Sequence, residues 1–295
     1  MEPLADLIRD HYLFVDRAES LAQQVEAWAK DPIAELDSPE ELADALTQRL
    51  RDATGDGHFR VMARVFTPAE LTANPEDRWK HSMPGPASNF GFRAVEVTDA
   101  TALITLDSLD YIEWSRPTAM AAMEFARHAE RVVIDLRGCR GGDPELIAFI
   151  AGYFTGPAPI ELGTVHWRDG TTETLFSDPA HASFHFDPDV DLVVVVGPET
   201  ASGGEALADH LQAPGRALVV GQPSIGAAHR IKEFQLTDEL VARIPSGYVV
   251  NAFSGTDWEG TGVTPDVLVE PDADSIHVAR TTMARSRGPR THHNG

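Results

Sequence analysis

A serine at the mouth of a helix is placed to attack a carbonyl carbon, and Ser202 has that setting. The apolar run Leu192-Val193-Val194-Val195-Val196 passes through Gly197-Pro198-Glu199-Thr200-Ala201 into Ser202-Gly203-Gly204-Glu205. A strand, a turn and a helix start are implied, with the helix dipole and the Gly203 N–H available to a developing oxyanion. The same residues also spell a Ser-x-x-Glu capping box, which closes a helix end without doing chemistry, and short motifs of this kind more often mean the cap. A second strand-to-turn unit, Val132-Val133-Ile134-Asp135-Leu136-Arg137-Gly138-Cys139-Arg140-Gly141-Gly142, ends in glycines. Glycines there let N–H groups converge on an anion as half of an oxyanion hole, or simply allow a tight turn with positive φ.

A serine hydroxyl needs a base near it at neutral pH. His58 stands in Gly55-Asp56-Gly57-His58, where a helical segment gives way to the first strand. His229 follows Gly226-Ala227-Ala228, and Lys232 lies between Arg230 and Glu233. The lysine would need a dry pocket to lower its pKa, and its charged neighbours argue against one. Glu259, in Thr256-Asp257-Trp258-Glu259-Gly260-Thr261-Gly262-Val263-Thr264-Pro265-Asp266, could orient a histidine or could be a solvated surface acid. His181 and His185 have ligand-like spacing but lack a Glu-x-x-His context, and Pro179 and Pro188 favour a loop there. No metal and no cofactor is expected, since neither a phosphate loop nor a dinucleotide fingerprint occurs.

The elements that must hold these groups can be read from periodicity. Leu21, Val25 and Trp28, and then Leu42, Leu46 and Leu50, recur at helical spacing. Ser38, Pro39 and Glu41 mark a helix start. Beyond Gly57 the runs shorten and become β-rich: 58–66, 90–97, 101–106, 131–136, 190–196, 216–220 and 247–253. Helical patterns over 117–130, 144–154 and 203–212 alternate with them, and Asp169-Gly170 marks a hairpin. The expected organisation is a helical N-terminal domain over 1–57, an α/β core over 58–283 and a flexible tail over 284–295.

Composition narrows the functions. The chain has 295 residues and a formal charge of −22, which repels nucleic acid and anionic membranes. One cysteine, Cys139, precludes an internal disulfide and a Cys-rich zinc module, and it reads as a small packed side chain rather than a nucleophile. With no secretory-type start and no apolar run long enough to cross a bilayer, a cytoplasmic protein is expected.

In order, these segments resemble the C-terminal-processing (tail-specific) serine peptidases, in the branch with the interphotoreceptor retinoid-binding protein modules and the tricorn core protease. The resemblance is carried by Asp135 to Gly142, Thr200 to Glu205, Val220 to Ala227 and Trp258 to Asp266. The Asp56 to His58 turn and Asn89-Phe90-Gly91-Phe92 add to it. It implies an α/β fold, a Clp protease/crotonase-like ββα core behind a small helical domain. It further implies Ser202 as nucleophile, the amides of Gly203 and of Gly141 or Gly142 as oxyanion hole, His58 as base and Glu259 as its acidic partner. At the register of the tail-specific lysine this chain has Ala227, which sets aside a Ser-Lys mechanism. The stretch before Phe90 is also too short for a PDZ insertion. A serine hydrolase acting on a peptide or small acyl substrate is expected, active as a monomer or homo-oligomer. Its activity should fall as pH drops through the imidazole range of about 6 to 7. A non-catalytic binder of an apolar ligand and a biosynthetic acyl-transfer or cyclising enzyme are the rival expectations.

Overall fold

The computed structural model describes residues 1–64 and 83–282. The end of the expected strand 58–66 and the whole of the expected tail 284–295 fall outside them. The chain divides into two compact units. One comprises Met1–Ser82, Val165–Glu173 and His229–Val249, and the other Met83–Thr164, Thr174–Ala228 and Val250–Gly295.

The first unit opens with three helices, α1 (Glu2–His11), α2 (Val15–Ala27) and α3 (Pro39–Thr54). Ser38 starts α3 as the sequence predicts, its hydroxyl accepting the Glu41 N–H at 3.3 Å. Gly55 ends the helix in the left-handed region at φ 75°, where its N–H reaches back to the Arg51 carbonyl. The apolar faces meet in one core that includes Leu4, Ile8, Tyr12, Leu21, Val25, Leu46 and Leu50. Phe59, Val61 from β1 (Arg60–Ala63), and Leu240 and Ile244 from β10 (Leu240–Asn251) join it. In this sheet β10 pairs antiparallel with β1 on one side and with β9 (Arg230–Gln235). The sheet order is β1-β10-β5-β6, where β5 (Glu161–Trp167) and β6 (Thr172–Phe176) form the expected Asp-Gly hairpin.

The second unit is built on a six-stranded sheet. Its strands are β2 (Phe92–Thr98), β3 (Thr101–Leu106), β4 (Arg131–Asp135), β7 (Asp191–Val196), β8 (Leu218–Gly221) and β11 (Val267–Leu268), in the order β11-β8-β7-β4-β3-β2. All neighbours are parallel except β2 with β3. β7 shows why its sequence is unbrokenly apolar: Leu192, Val194 and Val196 enter one core while Val193 and Val195 enter another. A strand covered on both faces has no polar position to alternate with. The helices here are α4 (Ile112–Ala126), α5 (Pro144–Gly152), α6 (Gly203–Gln212) and α7 (Ser275–Thr281).

One helix departs from expectation. A start at Pro117 is predicted, yet α4 begins at Ile112 and carries Pro117 inside it. Its N-terminus is held by Asp143, far along the chain, whose Oδ2 accepts the Ile112 N–H at 2.7 Å while Oδ1 accepts the Glu145 N–H at 3.1 Å. A remote cap of that kind leaves no local sign. Among the described residues no helix is long and apolar enough to cross a membrane.

Candidate active site

The second unit brings Ser202 and the two glycine turns together. Thr200 is fully buried and fixes the approach: its hydroxyl accepts the Gly197 N–H at 2.9 Å and donates to the Leu136 carbonyl at 2.8 Å. The Ala201 N–H then donates to the Cys139 carbonyl at 3.0 Å, tying the turn after β7 to the turn after β4. Ser202 follows at φ 50° and ψ −116°, a region that L side chains rarely occupy, and α6 starts at the next residue. Such strain persists only where the surroundings impose it.

The imposing group is Glu205, which is fully buried and accepts four hydrogen bonds. Oε2 takes the N–H groups of Ser202 and Ala227, each at 2.8 Å. Oε1 takes the Ser224 hydroxyl at 2.6 Å and the Gly226 N–H at 2.7 Å. The Ser202–Glu205 pair is therefore part of a cap, as the capping-box alternative has it, and it also fixes the backbone on which the hydroxyl rides.

Gly141 and Gly142 have φ values of 100° and 147° and lie against the serine turn. A Cβ on Gly141 would come within 2.7 Å of the Gly203 nitrogen, and one on Gly203 within 2.8 Å of the Gly142 nitrogen. Only glycine permits this approach. Because the Gly141 carbonyl accepts the Leu109 N–H at 2.9 Å, the N–H of the same planar trans peptide, on Gly142, points the opposite way. The Gly142 and Gly203 amides are thus neighbours, an arrangement suited to an oxyanion.

Cys139 sits beneath this turn, fully buried in the apolar core. Burial pushes its thiol up to about 12, against a smaller opposing effect of the Gly141 N–H. The thiol of the native protein is expected to resist iodoacetamide at neutral pH and to take up one equivalent after unfolding, measured by mass spectrometry. Rapid native labelling would contradict this burial.

Glu259 lies in the loop that contains the buried Trp258, and its Oε2 accepts the Ala228 N–H at 2.7 Å. The remaining predicted site residue, His58, belongs to the first unit. There it stands with Asp56 and His229. Asp56 Oδ1 accepts the His58 backbone N–H at 2.8 Å and faces His58 Nδ1 at 3.1 Å, and Oδ2 faces His229 Nδ1 at 2.7 Å. Asp56 is only 4% exposed. Burial alone would raise its carboxyl pKa, but the hydrogen bonds from His229 and then His58 outweigh it and hold the group well below the usual carboxylate range. The Phe14 ring meets His229 edge-on at 5.7 Å.

In the sequence Asp56 is part of a turn and His229 only a candidate base, and the sharing of the Asp56 carboxylate by His58 and His229 is legible only in the fold. The rejected candidates have other occupations. Lys232 Nζ stands 4.9 Å from the centre of the Trp167 ring, His181 Nδ1 pairs with Asp178, and His185 Nδ1 meets the Gly152 carbonyl.

Comparison with known proteins places this architecture. The model of peptidase family S41 matches residues 100–269, more than half of the chain. The chain belongs to peptidase family S41. A second model, the N-terminal domain of this peptidase family in eukaryotic IRBP, matches residues 1–91 of this S41 chain. Solved structures share its fold at low identity. A lipoprotein from Streptococcus agalactiae is 15% identical, with 94% of this chain and 92% of that chain covered and a TM-score of 0.66. A photosystem II D1 C-terminal processing protease is 17% identical, with 98% of each chain covered and a TM-score of 0.58. The tricorn protease is 13% identical, with 90% of this chain and 33% of its own covered and a TM-score of 0.55. The S41 chain is accordingly a serine peptidase-like enzyme of mixed α/β fold with a helical N-terminal region.

Proposed function

We propose that this S41 chain is a hydrolase of peptides or small acyl substrates that works through an acyl-enzyme on Ser202. The Ser202 hydroxyl oxygen attacks the substrate carbonyl carbon while His58 Nε2 takes its proton. The carbonyl oxygen becomes an anion on the Gly203 and Gly141/Gly142 amides. Collapse of the tetrahedral intermediate expels the leaving group, which takes the proton back from His58. Water, activated by the same imidazole, then releases the acyl group and restores the serine. Glu259 is assigned the stabilisation of the imidazolium, by resemblance to the tricorn branch.

One observation carries the reading. A non-glycine residue is held at φ 50° at the first turn of a helix, with the Gly141-Gly142 turn packed against Ser202-Gly203 so closely that no side chain fits on Gly141 or Gly203. A cap alone needs neither the strain nor the glycines.

A fluorophosphonate probe tests it. Labelling is expected on Ser202, absent in Ser202→Ala, and slowed by about 10² to 10⁴-fold in His58→Ala. A folded protein that never labels would favour a binder of apolar ligands on the same scaffold. Labelling with a product transferred to an amine or cyclised, rather than hydrolysed, would favour a biosynthetic acyl-transfer enzyme.

A further inference from the structure

We propose that Asp56 positions the His58 ring for catalysis and that His229 is a second positioning residue, acting by holding Asp56. The proposal rests on His58 acting as the base for Ser202, and it deepens that reading by naming what aims the base.

The argument is one of donors and acceptors. An ionised carboxylate only accepts, so each imidazole nitrogen that faces Asp56 must carry the proton. Both facing nitrogens are Nδ1, at 3.1 Å for His58 and 2.7 Å for His229. His58 is thereby fixed as the tautomer with its lone pair on Nε2, the nitrogen assigned to receive the serine proton. Asp56 is itself firmly mounted. It follows the left-handed Gly55 that ends α3, its N–H donates to the Thr54 hydroxyl at 3.1 Å, and its Oδ1 accepts the His58 N–H.

What this mounting leaves open is rotation of the carboxylate, and His229 removes it. His229 directly precedes β9, whose register against β10 is set from Arg230 onward, so the backbone that carries its ring is anchored at the adjoining residue. With a second imidazole on Oδ2, turning the carboxylate would break both contacts at once. The side chains of Asp56 and His229 are 4% and 7% exposed, so water is a poor substitute for either partner.

The test compares the second-order rate of fluorophosphonate labelling at Ser202 in the parent, Asp56→Asn, His229→Leu and His229→Asn, with reversible probe affinity measured separately. Asp56→Asn is expected to slow labelling by about 10² to 10⁴-fold with unchanged affinity, because the amide can hold the wrong tautomer. His229→Leu is expected to slow it about tenfold or more. His229→Asn, whose amide N–H₂ can stand where Nδ1–H stood, should recover most of that loss, which a purely structural effect would not predict. Proton NMR gives a reading independent of activity. Two low-field imidazole N–H resonances are expected in Ser202→Ala, and both should move or vanish in Asp56→Asn.

Parent-like labelling of a folded Asp56→Asn overturns the proposal while leaving Ser202 as nucleophile. Equal rates for the Leu and Asn variants at position 229 overturn the part assigned to His229. A parent that never labels removes the hydrolase reading instead, even where the low-field resonances are present. Their absence in Ser202→Ala would overturn the positioning claim on its own.

Discussion

Glu205→Ala is expected to lower the unfolding free energy by about 4 kcal/mol and to abolish labelling of Ser202. Four donors converge on this fully buried carboxylate, three of them backbone N–H groups that cannot rotate away. Each buried donor left without an acceptor costs roughly 1 to 3 kcal/mol, and entry of water into the vacated space offsets part of the total. Glu205→Gln sharpens the test because it changes hydrogen-bonding chemistry at nearly constant volume. If the amide nitrogen replaces Oε2, it meets the Ser202 and Ala227 N–H groups. If it replaces Oε1, it meets the Gly226 N–H and a Ser224 hydroxyl that already accepts the Val263 N–H at 2.7 Å. Neither orientation satisfies the site, so the isosteric variant should still lose about 2 kcal/mol and release the strained Ser202 backbone. Urea midpoints, with the slope checked for constancy, measure the first effect and probe labelling the second. A Gln variant with the parent midpoint and the parent labelling rate would show that the carboxylate does not hold the serine turn.

Much of the fold was legible because local chemistry and tertiary packing agree. The start of α3, the strand β7 and the Asp-Gly hairpin follow from a capping serine, an apolar run and a turn dipeptide that each suffice locally. The departures are decided outside the residues that show them, by a remote cap in one case and by strand pairing in the others. Asp143 caps α4, so the sequence around Ile112 shows nothing. β10 extends from Leu240 to Asn251 although Pro245 interrupts its pattern, because the ladder to β9 shifts register between Pro245 and Gly247 and places the proline at the irregularity. β9, Arg-Ile-Lys-Glu-Phe-Gln, reads as polar, and among the described residues it pairs with β10 alone, which leaves much of it half-buried rather than enclosed.

The site divides in the same way. The identities of Ser202 and of the glycines are visible as motifs, since a nucleophile turn and a close backbone approach restrict residue type. Glu205 was visible only as one half of a cap. Its other three donors come from Ser224, Gly226 and Ala227, residues with no periodic or motif relation to it. His229 joins Asp56 across most of the chain, and nothing in Ala227-Ala228-His229 announces it. Motifs thus report the groups that touch a reacting carbonyl better than the groups that hold them in place, because the former are limited by chemistry and the latter by geometry alone.

Gly142→Ala is expected to slow Ser202 labelling by about 10² to 10³-fold while Gly138→Ala, in the same loop, leaves it close to the parent rate. A Cβ on Gly142 would lie 1.9 Å from the Leu109 carbonyl oxygen and 2.6 Å from its carbon, contacts with backbone that no rotamer can relieve. The residue also sits at φ 147°, a conformation L side chains rarely adopt. Relief requires the peptide between Gly141 and Gly142 to turn or the bridge from Leu109 to Gly142 to open. Either motion redirects the Gly142 N–H, and loss of one oxyanion donor carries the stated cost. A Cβ on Gly138 meets only the Asp107 Oδ1, at 3.2 Å, the end of a side chain that can swing into solvent. That variant should stay within roughly 0.5 kcal/mol of the parent in stability. The contrast separates the amide from the loop as a whole. If both variants label equally slowly, loop mobility rather than the Gly142 donor limits the reaction. If both label at the parent rate, the oxyanion is stabilised elsewhere, with the Gly203 amide at the α6 N-terminus the remaining donor to remove by backbone ester substitution.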